Sequence, residues 1–392
     1  MTTADVQTAP AVSAADMYAA LLRGDAPFIL DVRNPDDVAR WRVEGRASLE
    51  GLNIPYYDFI EDEDTAIAKL PAGRDVLVVC AKEGSSQYVA GLLREHGIAA
   101  SYLEGGILSW GHLYDTRDLV SAPWGRIIQI ARPARGDVSF AIVSDGQAAV
   151  VDPLRHTEHY TAAVAAAGAR LTHILDTHVH ADHISGGPAL SAETGAAYYV
   201  HPYDAIHPID MLPARIPYTP LEDGQVLRVG QVEVRAIWYP GHTLGQVNFL
   251  AVAPDGSRYL FTGDGIFLRS FGRPDLGGKG EAWTPMLYDS MARRLPPHLT
   301  DETLILPAHF STLDECDAAG RCAAPWGEVQ RTNESLAHLG SPEEFAAFVL
   351  GNLPVFPPQY VEIKRVNIGL SSPSEAEAEE LELGKNICAL VK

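Results

Sequence analysis

Four metal-ligand side chains fall within six residues in the segment Asp176-Thr177-His178-Val179-His180-Ala181-Asp182-His183. The octet follows an apolar run, Leu171 to Leu175, that reads as a buried strand, and it precedes Ile184-Ser185-Gly186-Gly187, a turn into a helix. Alternate residues of an extended stretch share a face, so His178 and His180 are expected to reach the same ion. Asp182 and His183 are then free for a second position or for hydrogen bonds that orient the ligands. Three later segments repeat the pattern of a ligand-type residue just past a strand. Tyr239-Pro240-Gly241-His242-Thr243 follows Val232 to Trp238, and Phe261-Thr262-Gly263-Asp264-Gly265 follows a hairpin that turns at Asp255-Gly256. Leu306-Pro307-Ala308-His309 follows the strand Thr303 to Leu306. One histidine after a strand is usually a cap; four such segments in this order define a metal site.

These segments resemble the metallo-β-lactamase superfamily, from about Trp124 to the region after His309, which implies an αββα sandwich. Its dinuclear zinc hydrolases would hold one metal with His178, His180 and His242 and the other with Asp182, His183 and His309, with Asp264 bridging. Its persulfide dioxygenases would bind one Fe(II) per chain through His178, His242 and Asp264 alone. Two histidines and one carboxylate leave coordination positions open, as a non-haem Fe(II) oxygenase requires. The chain holds every residue for both sets. The segment Arg269 to Asp275 is similar to the G-R-x-D stretch that the dioxygenases carry, with Arg273 nine residues past Asp264. An arginine there could hold an anionic substrate; the alternative is a loop pair between Arg273 and Asp275. Where dioxygenases of the human type follow the last histidine with Asp-Tyr, this chain has Phe310-Ser311.

The front of the chain has a different pattern. Phe28 to Arg33 reads as a strand ending in a charged pair, and Val76 to Cys80 as a second strand ending on a cysteine. The loop Ala81 to Ser85 leads into a helix over Ser86 to His96, stopped by Gly97. A cysteine between a strand end and a helix N-terminus meets free N–H groups and the helix dipole, which stabilise a thiolate or persulfide. With Leu103-Glu104-Gly105-Gly106-Ile107-Leu108-Ser109-Trp110, this stretch resembles the rhodanese domain over about residues 12–115. The resemblance makes Cys80 the sulfane-sulfur acceptor. The loop offers Lys82 where many rhodaneses have an arginine, and Glu44 to Gly51 lacks their usual histidine. A low-molecular-weight persulfide therefore suits it better than thiosulfate.

The expected fold class is α/β: a rhodanese-like α/β domain over 1–118, then a metallo-β-lactamase sandwich over 124–392 with a C-terminal helical extension. The boundary is placed in His112 to Trp124, where apolar periodicity lapses. Glu328 to Leu339 and Pro342 to Leu350 read as helices, Val361 to Ile368 as extended or as packing on the second domain, and Ser371 to Glu380 as a solvated helix or loose segment.

A formal charge of −21 argues against binding nucleic acid or an anionic membrane surface. No apolar run reaches the roughly 20 residues that span a bilayer. Met1 to Ala14 lacks signal-peptide features, so the cytoplasm is the expected compartment. The 4 cysteines are too few for a disulfide framework; Cys316 and Cys322 read as structural or incidental, with a redox pair as the alternative. The expected reaction is oxidation of a small thiol persulfide by O2 to sulfite and free thiol, with His180, Asp182, His183 and His309 orienting ligands and water. Cys80 would exchange sulfur with the same thiol pool. The competing expectation is a thioester hydrolase of the glyoxalase II kind with two Zn. A homo-oligomer is left open.

Overall fold

The computed structural model describes residues 9–390; the first part of the Met1–Ala14 segment lies outside them. The N-terminal body is a parallel sheet of five strands, in the spatial order Ala11–Val12, Ala100–Leu103, Val76–Val79, Phe28–Asp31, Gly51–Asn53. Its central strands are unbroken apolar runs because both faces are covered. Leu30, Val76 and Val78 pack with Val89 and Leu93 on one side, while Ile29, Leu77 and Val79 pack with Met17 and Leu21 on the other.

The second body stacks a seven-stranded sheet on a six-stranded one. Their inner faces meet through Phe140, Ile142, Phe249 and Phe261, with the Phe140 and Phe261 ring centroids 5.4 Å apart. Helices Glu158–Ala166 and Gly187–Thr194 cover one outer face, and helices Gly280–Asp289, Trp326–Thr332 and Pro342–Gly351 the other. The result is the expected αββα sandwich, with ligand-bearing loops at one end of the strands.

The division falls inside the expected His112 to Trp124 interval, a few residues ahead of the expected bound at 118. Asp115–Ala122 is a strand paired antiparallel with Gly125–Arg132, so residues 115–118 belong to the second sheet and the division falls just before Asp115. This is a sheet-edge strand in which no residue is fully buried, so its apolar periodicity is weak. The two bodies share one core cluster, in which Met17, Trp41 and Trp110 join Phe140 and Phe261. A Cβ at Gly111 would lie 2.0 Å from the Trp41 ring, so glycine lets that ring pack closely within the N-terminal body, and Trp41 Nε1 then donates to the Ala134 carbonyl of the second body.

Residues 361–368 are helical rather than extended. The helix Gln359–Asn367 starts from Pro358, and its β-branched residues reflect a buried face with Tyr360 and Ile363 rather than a strand. The helix expected over Glu328–Leu339 stops at Thr332, and a 3-10 turn over Glu334–Gly340 follows. Asn333 breaks it by donating to the carbonyls of Phe267 and Ser270. The acidic stretch forms a helix over Glu375–Leu381, with Ser374 in a capping box. Cys316 and Cys322 form a disulfide, and both are buried. The bridge joins the two cysteines that the sequence offered as a pair only in the alternative reading, and it spans just seven residues inclusively, a local staple that needs no wider framework. Among the described residues no helix is long and apolar enough to cross a membrane.

Candidate metal centre

The strand Arg170–Leu175 delivers the octet into the interior, where its ligands are all buried. Three sets of donors result. His178, His242 and Asp264 form one compact group, and Asp137, Asp182, His183 and His309 another. His180 sits with Asp152 and Asp176 instead of sharing a group with His178. The segment is irregular rather than extended here, so strand alternation does not apply. The rings of His178 and His180 lie 4.2 Å apart, but His180 Nε2 is 3.2 Å from Asp152 Oδ1.

Asp264 sits between the first two groups. Its Oδ2 faces His242 Nε2 at 3.3 Å and His178 Nε2 at 3.9 Å, while its Oδ1 faces His309 Nε2 at 3.0 Å. His178 Nε2, His242 Nε2 and both Asp264 oxygens are buried without a hydrogen-bond partner. Such atoms are costly unless something binds them, so the donor set fits a cation. Burial and the neighbouring imidazoles hold His178 well below the usual histidine range, and burial lowers His242, which leaves both neutral and able to offer a lone pair. For Asp264, burial alone would raise the pKa, but the nearby His309 outweighs it and keeps the carboxylate ionised. His180 is pushed the other way: burial opposes its charge, yet Asp152, Asp176 and Asp182 raise it to about 9.

The surrounding residues fix these rings. His242 Nδ1 lies 2.8 Å from the Arg273 carbonyl, which selects the tautomer whose Nε2 is bare. Gly272 makes that approach possible, since a Cβ there would lie 2.1 Å from the Asp264 carbonyl oxygen and 2.7 Å from His242 Nδ1. His178 Nδ1 lies 3.0 Å from the Thr177 hydroxyl, which donates to Asp152. Asp204 ties the two ligand loops together: it accepts from Val179 N–H at 2.9 Å, the Thr243 hydroxyl at 2.7 Å and Gly245 N–H at 2.7 Å. The C-terminal extension closes the ring. Lys364 Nζ donates to the Val179 carbonyl, and Asn367 Nδ2 to those of His180 and His183. Glu382 accepts from Ile184 N–H and from Arg132, while Arg135 joins Asp137 to the Asp182 carbonyl.

Arg273 does not present a free cation. Its side chain is fully buried, with Asp275 at 2.6 and 2.8 Å and the carbonyls of Pro354, Val355 and Ile387 around the guanidinium. The loop-pair alternative describes this geometry; a substrate contact does not, because the donors are already used. Sequence reasoning missed Asp137, Asp152, Asp204, Asn367 and Cys388. Only Asp152 left a local signal, as a carboxylate directly after the strand Gln147–Val151.

An apolar cavity of about 300 Å³ adjoins the centre, lined by Val179 and Thr243 beside the ligands and by Ile206, Met211 and Trp283 farther out. In the N-terminal body, Cys80 is buried with Sγ 3.1 Å from the Ser86 hydroxyl, just ahead of the helix Gly84–Glu95. Ile107 N–H donates to the Cys80 carbonyl, and a Cβ on Gly106 would lie 2.5 Å from that oxygen, so the Gly105-Gly106 pair lets the two loops meet.

Known proteins match both halves. A metallo-beta-lactamase superfamily model covers residues 133–309, and a rhodanese-like domain model covers 13–113. A hydroxyacylglutathione hydrolase of Rhodospirillum rubrum is 35% identical over 212 residues, 49% of this chain and 78% of that protein. One from Polaromonas sp. is 33% identical, over 42% of this chain and 57% of its own length. A metallo-beta-lactamase structure from Staphylococcus aureus superposes with a TM-score of 0.54 at 22% identity, covering 67% of this chain and 75% of that one. The ETHE1 structure from Myxococcus xanthus gives 0.48 at 26% identity, over 69% and 99%. The chain belongs to the metallo-β-lactamase superfamily. It is an enzyme of that superfamily with a rhodanese-like domain ahead of the metal-binding one.

Proposed function

We propose that the protein is a persulfide dioxygenase coupled to sulfur transfer at Cys80. The observation that carries this reading is the trio His178, His242 and Asp264, buried with unpartnered donor atoms, in one chain with a rhodanese-like cysteine loop. Two imidazoles and one carboxylate suit Fe(II), which when bound would supply the chemistry that joins O2 to sulfur. The overall change is persulfide plus O2 plus water to free thiol, sulfite and two protons.

The chain's own groups carry the rest. The carbonyl of Arg273 and the Thr177 hydroxyl orient His242 and His178. Asp204 and Asn367 hold the ligand loops in register, and the burial of every ligand excludes bulk water. The apolar cavity beside Val179 and Thr243 would take the carbon skeleton of the thiol. Cys80, at a helix N-terminus, would carry sulfane sulfur as a persulfide and exchange it with the same thiol pool.

A second reading has support of its own. The relatives named hydroxyacylglutathione hydrolase, together with the group Asp137, Asp182, His183 and His309, favour a two-zinc thioester hydrolase. Turnover of glutathione persulfide against S-lactoylglutathione by the same iron-loaded and zinc-loaded preparations separates them. Oxygen-dependent sulfite formation by the iron form alone is expected; thioester hydrolysis by the zinc form without sulfite would overturn the proposal.

A further inference from the structure

The last described residues run back into the metal centre. Ala389 bridges antiparallel to Gly272, Arg273 N–H donates to the Cys388 carbonyl at 2.8 Å, and Ile387 N–H donates to the Tyr360 hydroxyl at 2.9 Å. Asn386 Nδ2 reaches Asp137 Oδ1 at 3.2 Å. Cys388 is thereby fixed from both sides and is fully buried. Its Sγ lies within 4.8 Å of donor atoms on Asp264 and His309. Tyr360 Oη lies 3.8 Å from the Sγ.

The neighbouring groups point to a ligand. Asp264 Oδ1 and His309 Nε2 are buried without a hydrogen-bond partner, although they lie 3.0 Å apart. Asp182 Oδ2, also unpartnered, lies 3.4 Å from His309 Nε2. Cys388 borders a small apolar cluster with Phe267 and Leu276, but its Sγ also lies beside donor atoms of Asp264 and His309 that have no hydrogen-bond partner.

We infer that Cys388 is a sulfur ligand of a second cation position, shared with His309 and the Oδ1 side of Asp264. The soft donor directs that position to a thiophilic divalent ion such as Zn²⁺ or Co²⁺, whereas His178, His242 and Asp264 Oδ2 form a sulfur-free first position. Binding releases the thiol proton to solvent or buffer, with no change in oxidation state. This concerns the second position alone and stands whether or not the first position oxidises persulfides.

Anaerobic titration of the metal-free full chain with Co²⁺, followed by absorption, tests it. The expected result is a first equivalent with ligand-field bands only, then a second that adds a near-ultraviolet thiolate-to-cobalt band. Cys388→Ser and Cys388→Ala should lose the second feature and keep the first, which also reports that they fold. A variant with serine at positions 80, 316 and 322 leaves Cys388 the sole cysteine and should keep the band. Two equivalents without a thiolate band in the wild-type chain, a band that survives Cys388→Ser, or its loss from the sole-cysteine variant would each overturn the assignment.

Discussion

Asn367 and His180, 187 residues apart in sequence, meet at 2.9 Å, where the asparagine amide donates to the histidine carbonyl. The same amide reaches the His183 carbonyl at 2.8 Å, and its oxygen accepts from Ser185 N–H. One side chain of the C-terminal helix thus holds the far half of the ligand octet. Asn367→Ala leaves those backbone groups unpaired and should cost about 1–3 kcal/mol. Metal affinity should fall roughly 10–100-fold, as for other residues that orient ligands. Competition with a chromogenic chelator, alongside denaturant melts, reads both; unchanged affinity would show that the octet holds its shape unaided.

Glu382 carries a pH prediction. Burial by itself would raise its pKa, but Arg132, Arg135 and Arg155 outweigh that and bring it down to about 2. A depressed carboxyl contributes stability that is present above its unfolded value and lost as pH falls toward the folded one. Wild-type stability should therefore decline from about pH 4.5 to pH 2, beyond what the other carboxylates contribute. Glu382→Gln should remove that part of the slope and cost about 3–5 kcal/mol at neutral pH, since it strands buried arginine charge. Melts across that range check it, and an unaltered slope would refute it.

Arg273→Met should lower stability and folded yield through loss of the Asp275 pair and three carbonyl contacts. The surviving folded protein should keep its KM. A large KM increase in a chain of wild-type stability would instead mean that the guanidinium meets substrate.

The disulfide closes a loop of seven residues, for which chain entropy predicts roughly 2 kcal/mol. Just ahead of that loop the chain meets the N-terminal body, where Asp314 accepts from Ala47 N–H at 2.7 Å. Cys316→Ser should lower the denaturation midpoint by a corresponding amount in non-reducing buffer and match the wild-type protein under reducing conditions. Equal midpoints in both buffers would show that the bridge contributes nothing.

The candidate donors were legible because each follows a strand beside glycine or within a dense local cluster, and both signals are local. The holders of those ligands were not. Asp137, Asp204, Asn367 and Glu382 act from positions tens to hundreds of residues away, and nothing in their own neighbourhoods marks them. His180 was paired with His178 by strand alternation, a rule that fails once the strand has ended at Leu175. The edge strand Asp115–Ala122 escaped because, with no fully buried residue, it carries little apolar pattern. For Arg273, spacing alone suggested a substrate contact, and only tertiary contacts reveal that its donors are taken by Asp275 and backbone carbonyls.

The two chemistries proposed for this chain should separate by mutation. His178→Ala removes a donor of the first cation position and should abolish oxygen uptake while sparing sulfur transfer through Cys80. Cys80→Ser should do the reverse, as measured by sulfite formation and by transfer of labelled sulfane sulfur. Loss of both activities in either well-folded variant would contradict separate sites.

The most direct test is elemental analysis of anaerobically purified protein, with oxygen uptake recorded on adding glutathione persulfide. The account predicts about one iron per chain at His178, His242 and Asp264, and oxygen consumed in step with sulfite formed. Two zinc ions per chain, with no uptake and with hydrolysis of a glutathione thioester, would contradict it.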